Sequence, residues 1–298
     1  MKVMAFCLAL LLAVVNGRTA DVPTPDQAAL GRFIITPFAT APFPHASRAN
    51  GHKYGGVLYS AATNYSDRTV ALFIPNGFRA TDRVDFVVHF HGWRHTVAMT
   101  LTNYLLPEQL AASGRNAILI VPQGPYLSPD SGDGKLEETN GFRRFMAEAL
   151  ATLKQAGVCS NDAVVGDIIL SGHSGGYQVI SSIVDHGGMS GQVREVWLFD
   201  ALYAHSDEFL AWAAAAQGRL LDIYTDHGGT KEDSEAMIAT LRQQGKSVIA
   251  TNDVSVTPAE LAACHYAFLH SDLAHVEVPT KRKCFELFLE TSFLPGRR

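Results

Sequence analysis

Val165-Gly166-Asp167-Ile168-Ile169-Leu170-Ser171-Gly172-His173-Ser174-Gly175-Gly176-Tyr177-Gln178-Val179-Ile180-Ser181-Ser182-Ile183-Val184 is the stretch on which the reading of this chain turns. Its first six residues form an apolar run of strand length, and the last nine repeat apolar positions at helical spacing. Between them lies Gly172-His173-Ser174-Gly175-Gly176, a G-x-S-x-G at a strand-to-helix junction. So tight a turn leaves no room for side chains beside Ser174, whose backbone is expected to be strained. The geometry lifts the Ser174 hydroxyl to the carboxyl edge of a sheet and aims helix N–H groups at a developing oxyanion. Alone the five-residue pattern is weak, because Gly and Ser crowd together in many loops. The strand before it and the helix after it make it the turn of an activated nucleophile.

Outward from this point, strand and helix signals alternate from about Gly56 to the C-terminus. Strands are expected at Gly56–Ala62, Thr69–Ile74, Val84–Phe90, Ala117–Val121, Asp167–Leu170, Glu195–Phe199, Leu220–Thr225 and His265–Leu269. Helical patterns lie near Tyr104–Ser113, Gly141–Gln155, Gly176–His186, Asp207–Gln217, Glu232–Gln244 and Lys281–Thr291. Phe86–Phe90 and Ile118–Val121 are almost continuously apolar, as in a mostly parallel eight-stranded sheet with helices on both faces. There is no internal repeat and no low-complexity linker, so residues 56–298 read as one α/β domain. Residues 21–55 carry Pro23, Pro25, Pro37, Pro42 and Pro44, which disfavour a long helix and predict a wrapping arm or disordered leader. Only a few residues separate Asp200 from the helix expected at Asp207, which leaves no room for a large lid and predicts an open site.

The 298 residues are 47% hydrophobic and 18% charged, the balance of an ordinary globule with a sizeable core. Residues 1–20 stand apart: Lys2, an apolar run from Val3 to Val15, then Asn16-Gly17-Arg18-Thr19-Ala20. This is the pattern of a secretory signal peptide, cleaved after Gly17 or Ala20, with an uncleaved anchor as the alternative. Cys7 has too little apolar sequence ahead of it for acylation. Loss of Lys2 and Arg18 moves the formal net charge from −5 to −7, which disfavours nucleic acid as a partner. A secreted or periplasmic protein without stable membrane association after cleavage is expected. The mature chain keeps Cys159, Cys264 and Cys284; Cys264 and Cys284 either approach as a disulfide or remain buried thiols.

Ser174 is a poor nucleophile until a base takes its proton, and the base must itself be oriented. His275, in Leu273-Ala274-His275-Val276-Glu277-Val278-Pro279 between the last strand and last helix, is the preferred base. His265, read as lying inside the strand, and His270, at its end, are competitors more easily given structural roles. Asp226 ends the strand Leu220–Thr225 ahead of a flexible His227-Gly228-Gly229-Thr230 loop; Asp200 ends the strand before. Asp222, inside a strand, is expected to point away. His89-Phe90-His91-Gly92-Trp93-Arg94 ends the third expected strand, and Gly92 there permits close backbone approach.

Through Gly172–Gly176, His91-Gly92, Asp226 and His275, the chain resembles α/β-hydrolases from about Gly56 to Leu294, and within them secreted bacterial serine hydrolases and esterases. The resemblance implies a sheet of this order and number. It also implies acyl transfer with nucleophile, acid and histidine in that chain order. Ser174 would attack, His275 would move the proton, and Asp226 would orient His275, with Asp200 as the alternative acid because some lipase relatives use that strand. The backbone N–H of Gly175, with that of Gly92 or Trp93, would bind the oxyanion. The loop after Phe90 lacks the glycine run of lipase-type motifs, so the second donor is not fixed by motif. A carboxylic-ester hydrolase acting on a small-molecule or polymer-attached ester is the reading. An amidase or peptidase on the same triad is the alternative, as is a non-catalytic binding protein on the same frame.

No cofactor is implied. His89, His91 and His95 raise a metal site, but they sit where the hydrolase fold places oxyanion donors, and no H-E-x-x-H or C-x-x-C is present. Trp93, Tyr126 and Tyr203 follow strands and are candidates to edge the site. The loop Tyr126–Asn140, with Asp130, Asp133, Glu137 and Glu138, is long enough to shape an entrance. Arg94, Arg143 and Arg144 are candidates to pair with a substrate carboxylate or with those acids.

Overall fold

The computed structural model of the protein describes residues 23–216 and 218–297; the expected signal peptide at residues 1–20 lies outside them. In chain order the first elements are α1 (Pro25–Leu30), β1 (Gly31–Pro37), β2 (His52–Tyr54), β3 (Val57–Tyr59), α2 (Ala61–Asn64), β4 (Thr69–Pro75) and β5 (Arg83–Phe90). There follow α3 (Val97–Asn103), α4 (Leu106–Ser113), β6 (Ile118–Pro122), α5 (Gly141–Gln155), β7 (Val164–His173), α6 (Tyr177–His186), β8 (Val193–Phe199) and α7 (Ser206–Ala216). The chain continues through β9 (Arg219–Thr225), α8 (Lys231–Gln243), β10 (Ile249–Asn252), α9 (Pro258–Ala263), β11 (Tyr266–Ser271) and α10 (Cys284–Thr291).

The main sheet has nine strands in the order β1-β4-β6-β5-β7-β8-β9-β11-β10. From β6 to β10 all neighbours are parallel, while β1 and β4 run antiparallel at one edge. Side-chain alternation divides the core in two. On β5 and β6, Phe86, Val88, Ile118 and Ile120 face α5, α6, α7 and α8, whereas Val87, Leu119 and Val121 face α3, α4, α9 and α10. All are buried, and each such side chain contributes about 1.5–3 kcal/mol.

Three expectations are corrected. The segment read as an arm supplies edge strand β1, paired with β4 from Gly31↔Pro75 to Pro37↔Thr69. Its alternation is visible: Phe33 and Ile35 pack on one core half and Ile34 on the other. Thr24 and Gln27 form a capping box that starts α1 just ahead of it, with Pro25 in the first turn. Second, Gly56–Ala62 is not a sheet strand: Val57–Tyr59 pairs with His52–Tyr54 in a separate ribbon, and α2 begins at Ala61. Third, β10 adds a parallel strand beside β11, so the sheet has nine strands rather than eight. Only residues 200–205 lie between β8 and α7. Cys159, Cys264 and Cys284 are free thiols.

Candidate active site

Parallel pairing puts the carboxyl ends of β5, β6, β7, β8, β9 and β11 on one edge, where their loops converge. Ser174 follows β7 with φ 53°, in the left-handed region, and opens a short 3₁₀ turn leading into α6. Close packing enforces the glycines around it. A Cβ on Gly176 would stand 2.6 Å from the Phe90 carbonyl oxygen, and one on Gly92 would stand 2.6 Å from Ser174 Cβ. The loop after β5 therefore presses directly on the serine.

His275 follows β11, and its Nδ1 lies 2.7 Å from Asp200 Oδ2. Asp200, fully buried at the end of β8 with φ 49°, also accepts hydrogen bonds from Thr225 N–H at 3.1 Å, Thr225 Oγ1 at 2.8 Å and the Thr230 hydroxyl. Burial alone would raise its carboxyl, but the bonds from His275, Thr230 and Thr225 more than offset this and hold it below the usual range. The loop after β9 folds over it so closely that a Cβ on Gly228 would overlap Asp200 Oδ2.

Asp226, the acid preferred from sequence, is not beside His275. It faces solvent, 2.7 Å from Lys231 Nζ and 3.1 Å from His270 Nε2. The loop that buries Asp200 turns Asp226 outward, and the next helix brings Lys231 to it. The competing histidines are also placed: His270 Nδ1 meets Asn252, and His265 stands just ahead of β11 at the opposite end of the strand. Among the described residues Ser174 Oγ is not hydrogen-bonded to His275. Tyr203, which lines the same cavity as Ser174, gives its phenol proton to the Gly228 carbonyl at 2.7 Å. Burial, with Asp200 nearby, pushes the Tyr203 phenol up to about 12, so it stays neutral.

In front of Ser174 is a cavity of about 240 Å³ lined by Trp93, Ser131, Ser174, Gly175, Tyr177 and Tyr203. Trp93 and Tyr203 were expected at the site; Tyr126 is not among these lining residues. The 126–140 loop does reach it, through Ser131, which accepts the Trp93 indole N–H at 2.8 Å. That loop is clamped from behind. Arg48 grips Asp130 at 2.5 and 2.8 Å, and Tyr65 donates to the same carboxylate at 2.9 Å. Arg94 lies 5.8 Å over the Tyr59 ring, Arg143 caps the Gly188 carbonyl, and Arg144 pairs with Glu138.

The histidines of the β5 region have separate partners. His89 Nδ1 meets Ser171 Oγ at 2.9 Å, and His95 Nε2 lies 3.3 Å from the Tyr104 hydroxyl. His91 Nδ1 donates to the Gly92 carbonyl at 2.8 Å, while its Nε2 accepts from Gly124 N–H at 3.0 Å. Burial lowers the His91 imidazole to about 4, consistent with the neutral tautomer those bonds require. No cluster of three metal-ligating side chains occurs among the described residues.

No protein-family model matches the chain, and no curated protein does. Solved structures do. A mutant of the feruloyl esterase module from Clostridium thermocellum, complexed with sinapinate, matches at TM-score 0.53 and 11% identity, over 91% of this chain and 90% of that one. A ferulic acid esterase matches at TM-score 0.54 and 11% identity, over 88% and 98%. The fold is that of the α/β-hydrolases. A fluorophosphonate-binding serine hydrolase from Staphylococcus aureus also matches, at TM-score 0.49 and 12% identity, over 88% and 99%.

Sequence reasoning missed Ser131, Tyr177, Thr225 and Thr230. No local pattern marks them, because each matters through what a neighbouring strand's loop brings to it.

Proposed function

We propose that the protein is a carboxylic-ester hydrolase working through Ser174, His275 and Asp200. The observation that carries this is the 2.7 Å bond between His275 Nδ1 and the buried Asp200 carboxylate, at the same sheet edge as a serine with φ 53°. With Nδ1–H donated to Asp200, His275 Nε2 is free to take the Ser174 proton as the hydroxyl attacks the ester carbonyl. Binding of substrate would bring the Ser174 hydroxyl onto His275; such catalytic bonds commonly tighten only in the complex. The tetrahedral oxyanion would be held by Gly175 N–H, in the first turn ahead of α6, and by Trp93 N–H. His91 supports the second assignment, because it ties back the Gly92 carbonyl and a trans peptide points the Trp93 N–H the other way. His275 then returns the proton to the leaving alcohol, and water resolves the acyl-enzyme by the same route.

The three rings of Trp93, Tyr177 and Tyr203 suit a flat acyl group, and one structural neighbour holds sinapinate. Esters of aromatic acids, free or attached to a polymer, are the proposed substrates. Export through residues 1–20 is likewise proposed; no described helix is long and apolar enough to cross a membrane.

The test is hydrolysis of p-nitrophenyl acetate, butyrate, octanoate and an aromatic acyl ester, with fluorophosphonate labelling, by wild type and Ser174→Ala. A loss in kcat of about 10⁴–10⁶-fold, with labelling abolished and Tm retained, is expected. Turnover that persists in Ser174→Ala, or an unlabelled wild type, would sink the proposal.

A further inference from the structure

His173, the variable residue of the Gly172–Gly176 turn, has a side chain that the mechanism above does not use. It is buried, and its Nε2 lies 2.9 Å from the backbone carbonyl oxygen of His275. A carbonyl only accepts, so Nε2 carries the proton. Nδ1 of a neutral ring is then an acceptor, and it receives the Tyr104 hydroxyl at 2.8 Å. The Tyr104 oxygen in turn lies 3.3 Å from His95 Nε2. Every proton in this chain points one way, from His95 through Tyr104 and His173 to the His275 backbone. The His173 and His275 rings also meet, with centroids 4.5 Å apart. Burial, with His275 adjacent, lowers the His173 imidazole to about 3, in keeping with a neutral ring.

The turn bearing His275 needs such an anchor. Asp272, Ala274 and Val276 are all exposed, so burial does little to fix the backbone there. Downstream, Gln109 donates to the Pro279 carbonyl at 3.0 Å and Thr280 to the Asn103 carbonyl at 2.7 Å. These bonds tie the far side of the turn to the end of α3 and to α4. Among the described residues, only His173 is hydrogen-bonded to the carbonyl of His275 itself. The residue beside the proposed nucleophile thus holds the residue proposed to activate it.

We infer that His173 is a positioning residue: from the nucleophile turn, its Nε2–H fixes the backbone of His275, and Tyr104 selects the tautomer that allows it. This rests on the proposed role of His275. Displacement of a reacting group by about 1 Å typically costs on the order of 10²-fold in rate.

The test compares His173→Phe, His173→Asn and His173→Gln. Glutamine places an amide N–H where Nε2 stands, asparagine does not reach it, and phenylalanine has no donor. Two readouts are needed. The first is ester hydrolysis: Phe and Asn variants are expected to lose about 10–100-fold in kcat with KM within about twofold, and Gln to regain most of it. The second is amide hydrogen exchange over residues 272–278. It should rise in Phe and Asn and return toward wild type in Gln, whether or not the protein hydrolyses esters. Exchange that is unchanged in Phe and Asn, or a Gln variant no better than Asn in either readout, would overturn the inference. An inactive wild type with the expected exchange pattern would instead count against the ester-hydrolase reading alone. If His173→Phe does not fold, the Asn–Gln comparison carries the decision.

Discussion

Replacing Asp200 by asparagine exchanges one oxygen for an amino group and leaves the shape nearly unchanged, so its effect can be worked from the hydrogen bonds. The carboxylate accepts from four donors: Thr225 N–H and Thr230 Oγ1 at Oδ1, Thr225 Oγ1 and His275 Nδ1 at Oδ2. An amide has one accepting side and one donating side. The Thr225 backbone N–H cannot reverse its role, whereas a hydroxyl and an imidazole can. The new NH₂ therefore settles at the Oδ2 position and forces His275 to accept at Nδ1. The imidazole proton then sits on Nε2, the atom proposed to take the Ser174 proton. A triad held in the wrong tautomer loses about 10⁴-fold in kcat, about 5–6 kcal/mol of barrier. Asp226→Asn touches only solvent-facing pairs with Lys231 and His270 and should change kcat/KM by less than about twofold. Turnover of p-nitrophenyl butyrate, with thermal melts of both variants, decides the matter. An Asp200→Asn enzyme that keeps more than a tenth of its activity, or an Asp226→Asn enzyme that loses about 10³-fold, would refute the tautomer argument.

Two further outcomes follow from the same edge of the sheet. Gly92→Ala puts a methyl 2.6 Å from Ser174 Cβ and 3.0 Å from the His173 carbonyl oxygen, so the loop carrying the proposed second oxyanion donor must move. kcat should fall about 10²–10³-fold with Tm nearly retained, and an unaffected kcat would remove Trp93 N–H from the mechanism. Asp222 is fully buried in β9, and burial, opposed by a bond from Ser234, pushes its carboxyl up to about 8. The folded state therefore holds a proton that the unfolded chain releases near pH 4, and stability falls as pH rises from about 4 to about 8, by about 1.4 kcal/mol per unit. Asp222→Asn should flatten that decline; the Tm difference between pH 5 and pH 8 in the two proteins measures it, and parallel slopes would count against it.

The central sheet was legible because its strands are buried on both faces and read as continuous apolar runs, and helix α5 was delimited to the residue. The outer strands were not. β1 lies among prolines, and β10 is four residues with only partial burial, so neither carries a strong apolar signal. That Ser174 and His275 both stand at the carboxyl edge of the sheet was legible from chain position. That Asp200 rather than Asp226 stands beside His275 was not, because both end strands, and one dimension does not show which strand end the His275 turn crosses to. β11 lies two strands from β8, about 10 Å across the sheet, so the turn must pass over the end of β9. A signal was nevertheless present. Asp200 sits in Leu198-Phe199-Asp200-Ala201-Leu202, an apolar setting that demands a partnered carboxylate, whereas Asp226 opens a polar run through Asp233.

Strain follows the same map. Nine described residues other than glycine have positive φ, and eight of them, all but Leu105, lie between the carboxyl end of a strand and the next α-helix. At about 1–3 kcal/mol each, their combined cost is on the order of the net stability of a whole domain. They persist because each is over-determined by its surroundings. Asp200 is fixed by four hydrogen bonds, Arg94 by its N–H to the Ser128 carbonyl at 2.9 Å, and Leu127 by its N–H to the His95 carbonyl at 3.2 Å. Ser174 is pressed by Gly92 of the loop after β5. The buried strands supply the stability that this edge consumes. Relaxing Asp200 toward an ordinary backbone conformation would break the hydrogen bonds that satisfy its buried carboxylate, a loss larger than the strain relieved.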